Sequence, residues 1–153
     1  MLPLATALIL LLPKQGVLVT GKSLGAVRLG MTPAQVQTLW GTRFGRCRGC
    51  AQPTWYFNYR RFHPEGAAVR FRRGHVDAVW TLWSPPGWRT RSGMKLGVPA
   101  LEVNVRFGAL VTIQCGSYRA LILTRGDVTT SFYVYGQKLW GFGLGRPGST
   151  PCR

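Results

Sequence analysis

The stretch Leu29–Gly41 reads LGMTPAQVQTLWG, and the reading of the whole chain turns on it. Thr32 has the residue type of a helix N-cap. Pro33 suits the first helical position, where its missing N–H costs nothing, and Gln35 completes a capping box by reaching back to the cap's N–H. Met31 and Val36 stand where a hydrophobic staple would place them. Val36, Leu39 and Trp40 fall at spacings of three and four, which is one apolar stripe, and Gly41 supplies a left-handed stop. At an offset of 67 residues, Leu96–Gly108 reads LGVPALEVNVRFG. Leu29/Leu96, Gly30/Gly97, Val36/Val103 and Gly41/Gly108 are identical, while Met31/Val98, Gln35/Glu102 and Trp40/Phe107 keep their character. Pro99 takes the place of Thr32, so the second helix is less well capped; its anchors Val103 and Phe107 still share a face.

Working outward, each helix is followed by alternating runs split at glycines, the pattern of strands with one buried face. TWYFNYRRF, AAVRFRR and VDAVWTLW follow the first; YRALIL, TTSFYVY and KLWGFGL follow the second. In AAVRFRR, Val69 and Phe71 point one way while Arg70 and Arg72 point the other. The predicted order is helix–strand–strand–strand, twice. The expectation is an α+β fold of two tandem helix-plus-three-stranded antiparallel units, their sheets either separate or running on as one curved sheet. Its segments are an apolar leader at 1–16, a first unit at 17–84, a Pro-, Gly- and Arg-rich joint at 85–93, a second unit at 94–144 and a tail at 145–153.

With that pattern on the page, Ser23–Val36, running on to Trp40-Gly41, resembles the opening signature of the β-lactamase-inhibitor-like group. That group includes the tandem-repeat β-lactamase inhibitory proteins and a single-unit lipoprotein of outer-membrane β-barrel assembly. Thr42–Cys47, Thr81–Thr90 and Leu139–Leu144 look most like stretches of secreted, functionally unassigned actinobacterial proteins. The resemblance implies an exported bacterial binding or scaffolding module whose sheet presents a concave, aromatic-rich surface. It carries over no inhibitory residue: Glu65 sits in a turn between strands but matches no motif.

Composition narrows the partners. The chain has 153 residues, 46% of them apolar and 12% aromatic, which is enough for a real core. Twenty Lys+Arg, sixteen of them Arg, face four Asp+Glu, giving a net charge of +16. Such a surface attracts polyanions, so the expected partner is an acidic protein or an anionic envelope polymer, with nucleic acid as the alternative. The apolar run Leu2–Leu12 has the length of a signal-peptide core and is short of the ~20 residues that span a bilayer, so an extracytoplasmic location without an integral span is expected. A buried N-terminal element is the competing reading, since no cation precedes the run and no small-x-small site follows it.

Four cysteines permit three disulfide connectivities. Pairing Cys47 with Cys50 and Cys115 with Cys152 closes one tight loop and ties down the tail; a thioredoxin-like Cys-x-x-Cys and a four-thiolate zinc site are the rivals. Six Trp, five Tyr and seven Phe supply both core and interface candidates. The expected binding patch is Trp55, Tyr59, Trp83 and Trp88 with Arg60, Arg72 and Arg89, because exposed Trp, Tyr and Arg anchor interfaces. Catalysis is not expected, and neither a cofactor nor a metal is implied. His63 and His75 could in principle act as acid and base on a phosphodiester, but no nucleophile elbow, phosphate-cradling loop or carboxylate pair accompanies them.

Overall fold

A computed structural model of the protein describes residues 16–58 and 66–153. The leader up to residue 15, and with it Tyr59, Arg60, His63 and Glu65, lie outside the described residues.

The quoted stretch folds as its chemistry dictates. Helix α1 spans Pro33–Trp40; the Thr32 hydroxyl accepts the Gln35 N–H at 3.3 Å and the Gln35 side chain accepts the Thr32 N–H at 2.9 Å. Val36 and Trp40 are buried, and the Trp40 indole N–H donates to the Gly25 carbonyl at 2.7 Å. Leu39, expected on the same stripe, is 38% exposed. Helix α2 spans Leu101–Phe107 and has no side-chain cap; Val103 is buried, and Phe107 packs its ring 4.8 Å from Phe132. Both helices stop at a glycine of positive φ, Gly41 and Gly108.

The corners before the helices are fastened alike. The Gly30 N–H donates to the Val76 carbonyl at 2.7 Å and the Val76 N–H returns to Met31 at 2.8 Å. Gly97 donates to Leu139 at 2.7 Å and Leu139 returns to Val98 at 2.8 Å. Each Leu-Gly stretch is thus hooked by its backbone to the start of a strand, with its glycine at φ near 90° (87° and 92°), where a Cβ would be strained.

The strands form two sheets. A small one joins β1 (Val17–Val19), β2 (Ser23–Leu24) and β7 (Arg89–Thr90) in the order β2-β1-β7, with β1 and β7 parallel. The large one has eight strands: β3 (Gly45–Arg46), β4 (Thr54–Asn58), β5 (Gly66–Arg72), β6 (His75–Leu82), β8 (Val111–Cys115), β9 (Tyr118–Arg125), β10 (Val128–Tyr135) and β11 (Lys138–Gly145). Their order is β3-β4-β5-β6-β11-β10-β9-β8, antiparallel throughout. At the centre, β6 and β11 pair from Phe142 opposite Thr81 to Gly145 opposite Ala78. Gly141 is required at this seam, because a Cβ there would collide with the Thr81 carbonyl.

The two faces of this sheet differ. The inner face carries Trp55, Phe57, Val69, Phe71, Val79, Phe132, Val134, Phe142 and Leu144, packed against Val36, Trp40 and Val103 of the helices and Leu18, Leu24 and Trp88 around the small sheet. The outer face gathers Ala68, Ala78, Trp80, Tyr118, Ala120 and Tyr133, with Trp140 and Ile122 beside them.

The expected architecture is therefore corrected. Among the described residues the chain is mostly β, with two helices, and does not form two helix-plus-three-strand units. An isolated three-stranded sheet would leave two open edges; here the last strand after each helix, β6 and β11, pair with each other and remove one edge from each side. A fourth strand after each helix, β3 and β8, escaped the sequence reading because Gly45–Arg46 and Val111–Cys115 are short and lack a buried face. The Pro-rich joint is not a free linker either: Arg89–Thr90 within it is β7.

Candidate functional site

The outer face is where the molecule leaves aromatic surface open, and it is built from the residues that alternate away from the core. On β4, Tyr56 points outward between the buried Trp55 and Phe57. On β6, Trp80 faces out between Val79 and the fully buried Thr81. Beyond β6 the chain makes an unusual exit: Trp83 and Ser84 both have positive φ, 70° and 47°. Two consecutive non-glycine residues in the left-handed region are strained, and strain of this kind persists only where surrounding contacts enforce it. Here the Ser84 N–H donates to the Trp140 carbonyl at 2.8 Å. The result is that the Trp83 indole stands 52% exposed, its ring 5.1 Å from that of Trp140. Trp140 is also 5.2 Å from Tyr118 and 5.5 Å from Tyr135, itself 52% exposed.

Part of this face is covered by the tail. Cys152 is disulfide-bonded to Cys115, the Tyr118 hydroxyl donates to the Arg153 carbonyl at 2.6 Å, and the Tyr133 hydroxyl donates to the Pro151 carbonyl at 2.6 Å. The Arg153 N–H donates back to the Tyr118 oxygen at 2.7 Å. Small residues make the room: a Cβ on Gly143 would strike the Tyr133 ring, and one on Gly145 would press on Arg153. Arg153 lies with its guanidinium 4.9 Å from the centre of the Trp80 ring, a cation–π contact, and its Nε is buried without a hydrogen-bond partner among the described residues. Burial pushes the Tyr133 phenol above its usual range, with the Arg153 charge opposing this in part. Beside the tail remains a cleft of about 350 Å³, with Tyr56, Trp80 and Trp83 as aromatic walls, Gly66 and Ala68 among its lining and Arg153 at its side.

The expected patch does not assemble as read. Trp55 is 8% exposed and stacks on Phe44, and Trp88 is 1% exposed, so both belong to the core. Trp83 is exposed as expected. Arg72 and Arg89 are exposed but line depressions other than the cleft beside Trp83, and Tyr59 and Arg60 fall outside the described residues. The residues left out of the expected patch are Tyr56, Trp80, Trp140, Tyr135 and Arg153; for the last strand, the glycines alternating with large residues in KLWGFGLG were the available signal. His75 is exposed at a hairpin tip, with Nδ1 3.0 Å from the Arg73 carbonyl.

Both disulfides form in the favoured pairing, with Cα–Cα separations of 5.7 Å for Cys47–Cys50 and 5.3 Å for Cys115–Cys152. With all four thiols so used, the zinc and thioredoxin-like alternatives fall away; the Cys47–Cys50 loop follows β3 and opens no helix. Among the described residues no group of three or more His, Cys, Asp or Glu could hold a metal ion, and no helix is long and apolar enough to cross a membrane.

No protein-family model matches the sequence, and no curated protein matches it. By structure the chain is similar to an extracellular protein containing an SCP domain from Bacillus anthracis, at 11% identity and a TM-score of 0.53, covering 78% of this chain and 44% of that one. It is also similar to a cysteine-rich secretory protein from Staphylococcus aureus (11% identity, TM-score 0.49, 78% and 44% covered). A third is a DUF4309 family protein from Bacillus subtilis (12% identity, TM-score 0.48, 75% and 78% covered). The chain thus spans less than half the length of the first protein, and at such identity the likeness is one of fold. The structure similar at a TM-score of 0.53 is described as an SCP-domain protein, and the chain does not fold as two helix-plus-three-strand units, so the β-lactamase-inhibitor-like resemblance is overturned. The Leu-Gly-Met-Thr signature encodes a hooked helix corner, a local device that unrelated folds can share.

Proposed function

We propose that the protein works outside the cytoplasm as a non-catalytic binding module, taking an acidic protein or an anionic envelope polymer on the outer face of its large sheet. The observation that carries this reading is Trp83, a large aromatic held in the open by a strained backbone beside a cleft with two further aromatic walls. Exposed aromatic side chains flanked by arginine are the usual energetic centres of interfaces. The net charge of +16 selects acidic partners and steers their approach. Two disulfides, which persist in oxidising compartments, and a fold shared with a protein described as extracellular support the location.

The test is a titration of poly(glycerol phosphate) and of polyglutamate followed by tryptophan fluorescence, with the wild type and Trp83→Ala side by side. One of the two polyanions is expected to bind, and Trp83→Ala to weaken it by about tenfold to thirtyfold, the loss typical of an interface anchor. Unchanged binding by Trp83→Ala, or no preference over duplex DNA at matched salt, overturns the reading.

A further inference from the structure

We infer a second, separate ligand site: a cradle for a polyphosphate-type oxyanion at the opposite end of β6 from Trp83. The tip of the β5–β6 hairpin and the segment leaving β11 enclose an open depression of about 740 Å³, lined by Arg72, Arg73, His75, Asp77, Arg146 and Ser149. Three arginines and a histidine thus line one concave surface. The carboxylate that borders it is already committed: Asp77 takes a two-pronged contact from Arg70, at 2.8 and 3.0 Å, and a longer one from Arg72 at 3.4 Å. Arg146 is held by Asp127 at 2.6 Å, and this carboxylate is 83% exposed, so water weakens its hold on the charge. Positive charge therefore remains in excess over the depression, and the acids present orient the guanidinium groups more than they neutralise them.

Arg73 is the second, independent observation. It occupies the first position of the two-residue turn Arg73-Gly74, at φ 52° followed by 75°. Tight hairpins of this kind take Asn, Asp or Gly there, because the left-handed conformation is unfavourable for a long side chain. No hydrogen bond or ion pair holds the Arg73 guanidinium among the described residues, so a structural role does not account for the choice. The His75 ring, with Nδ1 on the Arg73 carbonyl at 3.0 Å, is oriented with Nε2 turned from that bond. A depression of about 740 Å³ has room for two or more linked oxyanions rather than one small ion, which makes a phosphate chain the ligand class.

Calorimetric titration with sodium tripolyphosphate at low salt tests the site. Arg73→Asn and Arg146→Gln are each expected to weaken binding by about tenfold, the effect of losing one charge-assisted contact. Arg73→Asn suits the turn better than arginine does, so its melting temperature is expected to hold or rise, and lost binding is then not unfolding. Arg106→Ala removes the same charge from α2 and is expected to change affinity less than about twofold, as is Trp83→Ala. Absence of tripolyphosphate binding by the wild type overturns the cradle, as does an equal loss in Arg106→Ala, which would mean general charge attraction. Neither result touches polymer binding on the aromatic face, so the two sites fail separately.

Discussion

The two faces of the large sheet use the same residue types to opposite ends. On the inner face, Phe57, Phe132 and Phe142 are wholly buried, and the helices and the small sheet complete a continuous core. On the outer face the aromatic residues are stacked on one another and on Arg153, with eight residues of tail for cover, and Trp83, Tyr135 and Tyr56 keep 52%, 52% and 36% of their surface in contact with solvent. Aromatic content alone does not distinguish core from interface; what covers a face does.

The largest effect should come from the inner face. Phe132→Ala removes a ring packed on Phe107 and Phe142 and is expected to cost about 3–5 kcal/mol in urea denaturation. A loss below 1 kcal/mol would mean the inner face is not the core. Next, replacing Cys115 and Cys152 together by Ser should cost about 2–4 kcal/mol and let the tail lift, exposing residues 146–153 to proteolysis in the otherwise folded protein. Uncut tail in that variant would show that the Tyr118 and Tyr133 hydroxyls hold it unaided.

Tyr133→Phe should cost about 1 kcal/mol at neutral pH through the lost bond to Pro151. It also has a pH signature. The Tyr133 phenol is raised in the folded state, so the unfolded chain releases its proton first; the stability is fully present below the ordinary tyrosine range and falls as pH rises through it. Melting temperatures across pH 8 to 11 should therefore fall less steeply in Tyr133→Phe than in the wild type. The smallest effect on stability belongs to Trp83→Ala, within about 0.5 kcal/mol, because the ring is mostly in solvent and its removal frees no core space. That variant sharpens the contrast most, since it should weaken binding by about tenfold to thirtyfold while leaving denaturation nearly unchanged.

Much of this was legible in the sequence, for identifiable reasons. The capping box at Thr32 and Gln35, the left-handed glycines and the strand alternation are local, and local chemistry settles them. Alternation also says that Trp55 and Phe57 share a face opposite Tyr56, but it does not say which face is inward; choosing Trp55 for the surface took the wrong side. Trp88 looked exposed because its neighbours are Pro, Gly and Arg, yet a parallel pairing with β1 draws it into the core. The joining of β6 to β11 depends on glycines inside KLWGFGL, a run read as a strand but without its partner, and contacts between strands so far apart leave no periodic mark. The tail's path over Tyr133 was foreshadowed only by Cys152.

The parallel pairing of β1 with β7 sets an order of assembly. Parallel neighbours require a crossover, and here the crossover carries α1 and the strands from β2 to β6. Val17–Val19 can fold back on Ser23–Leu24 at once, but that ribbon gains its third strand only after Arg89–Thr90 has been made. The earliest of the described strands is thus among the last to be locked, and its closure waits on the half of the chain that encloses Trp88.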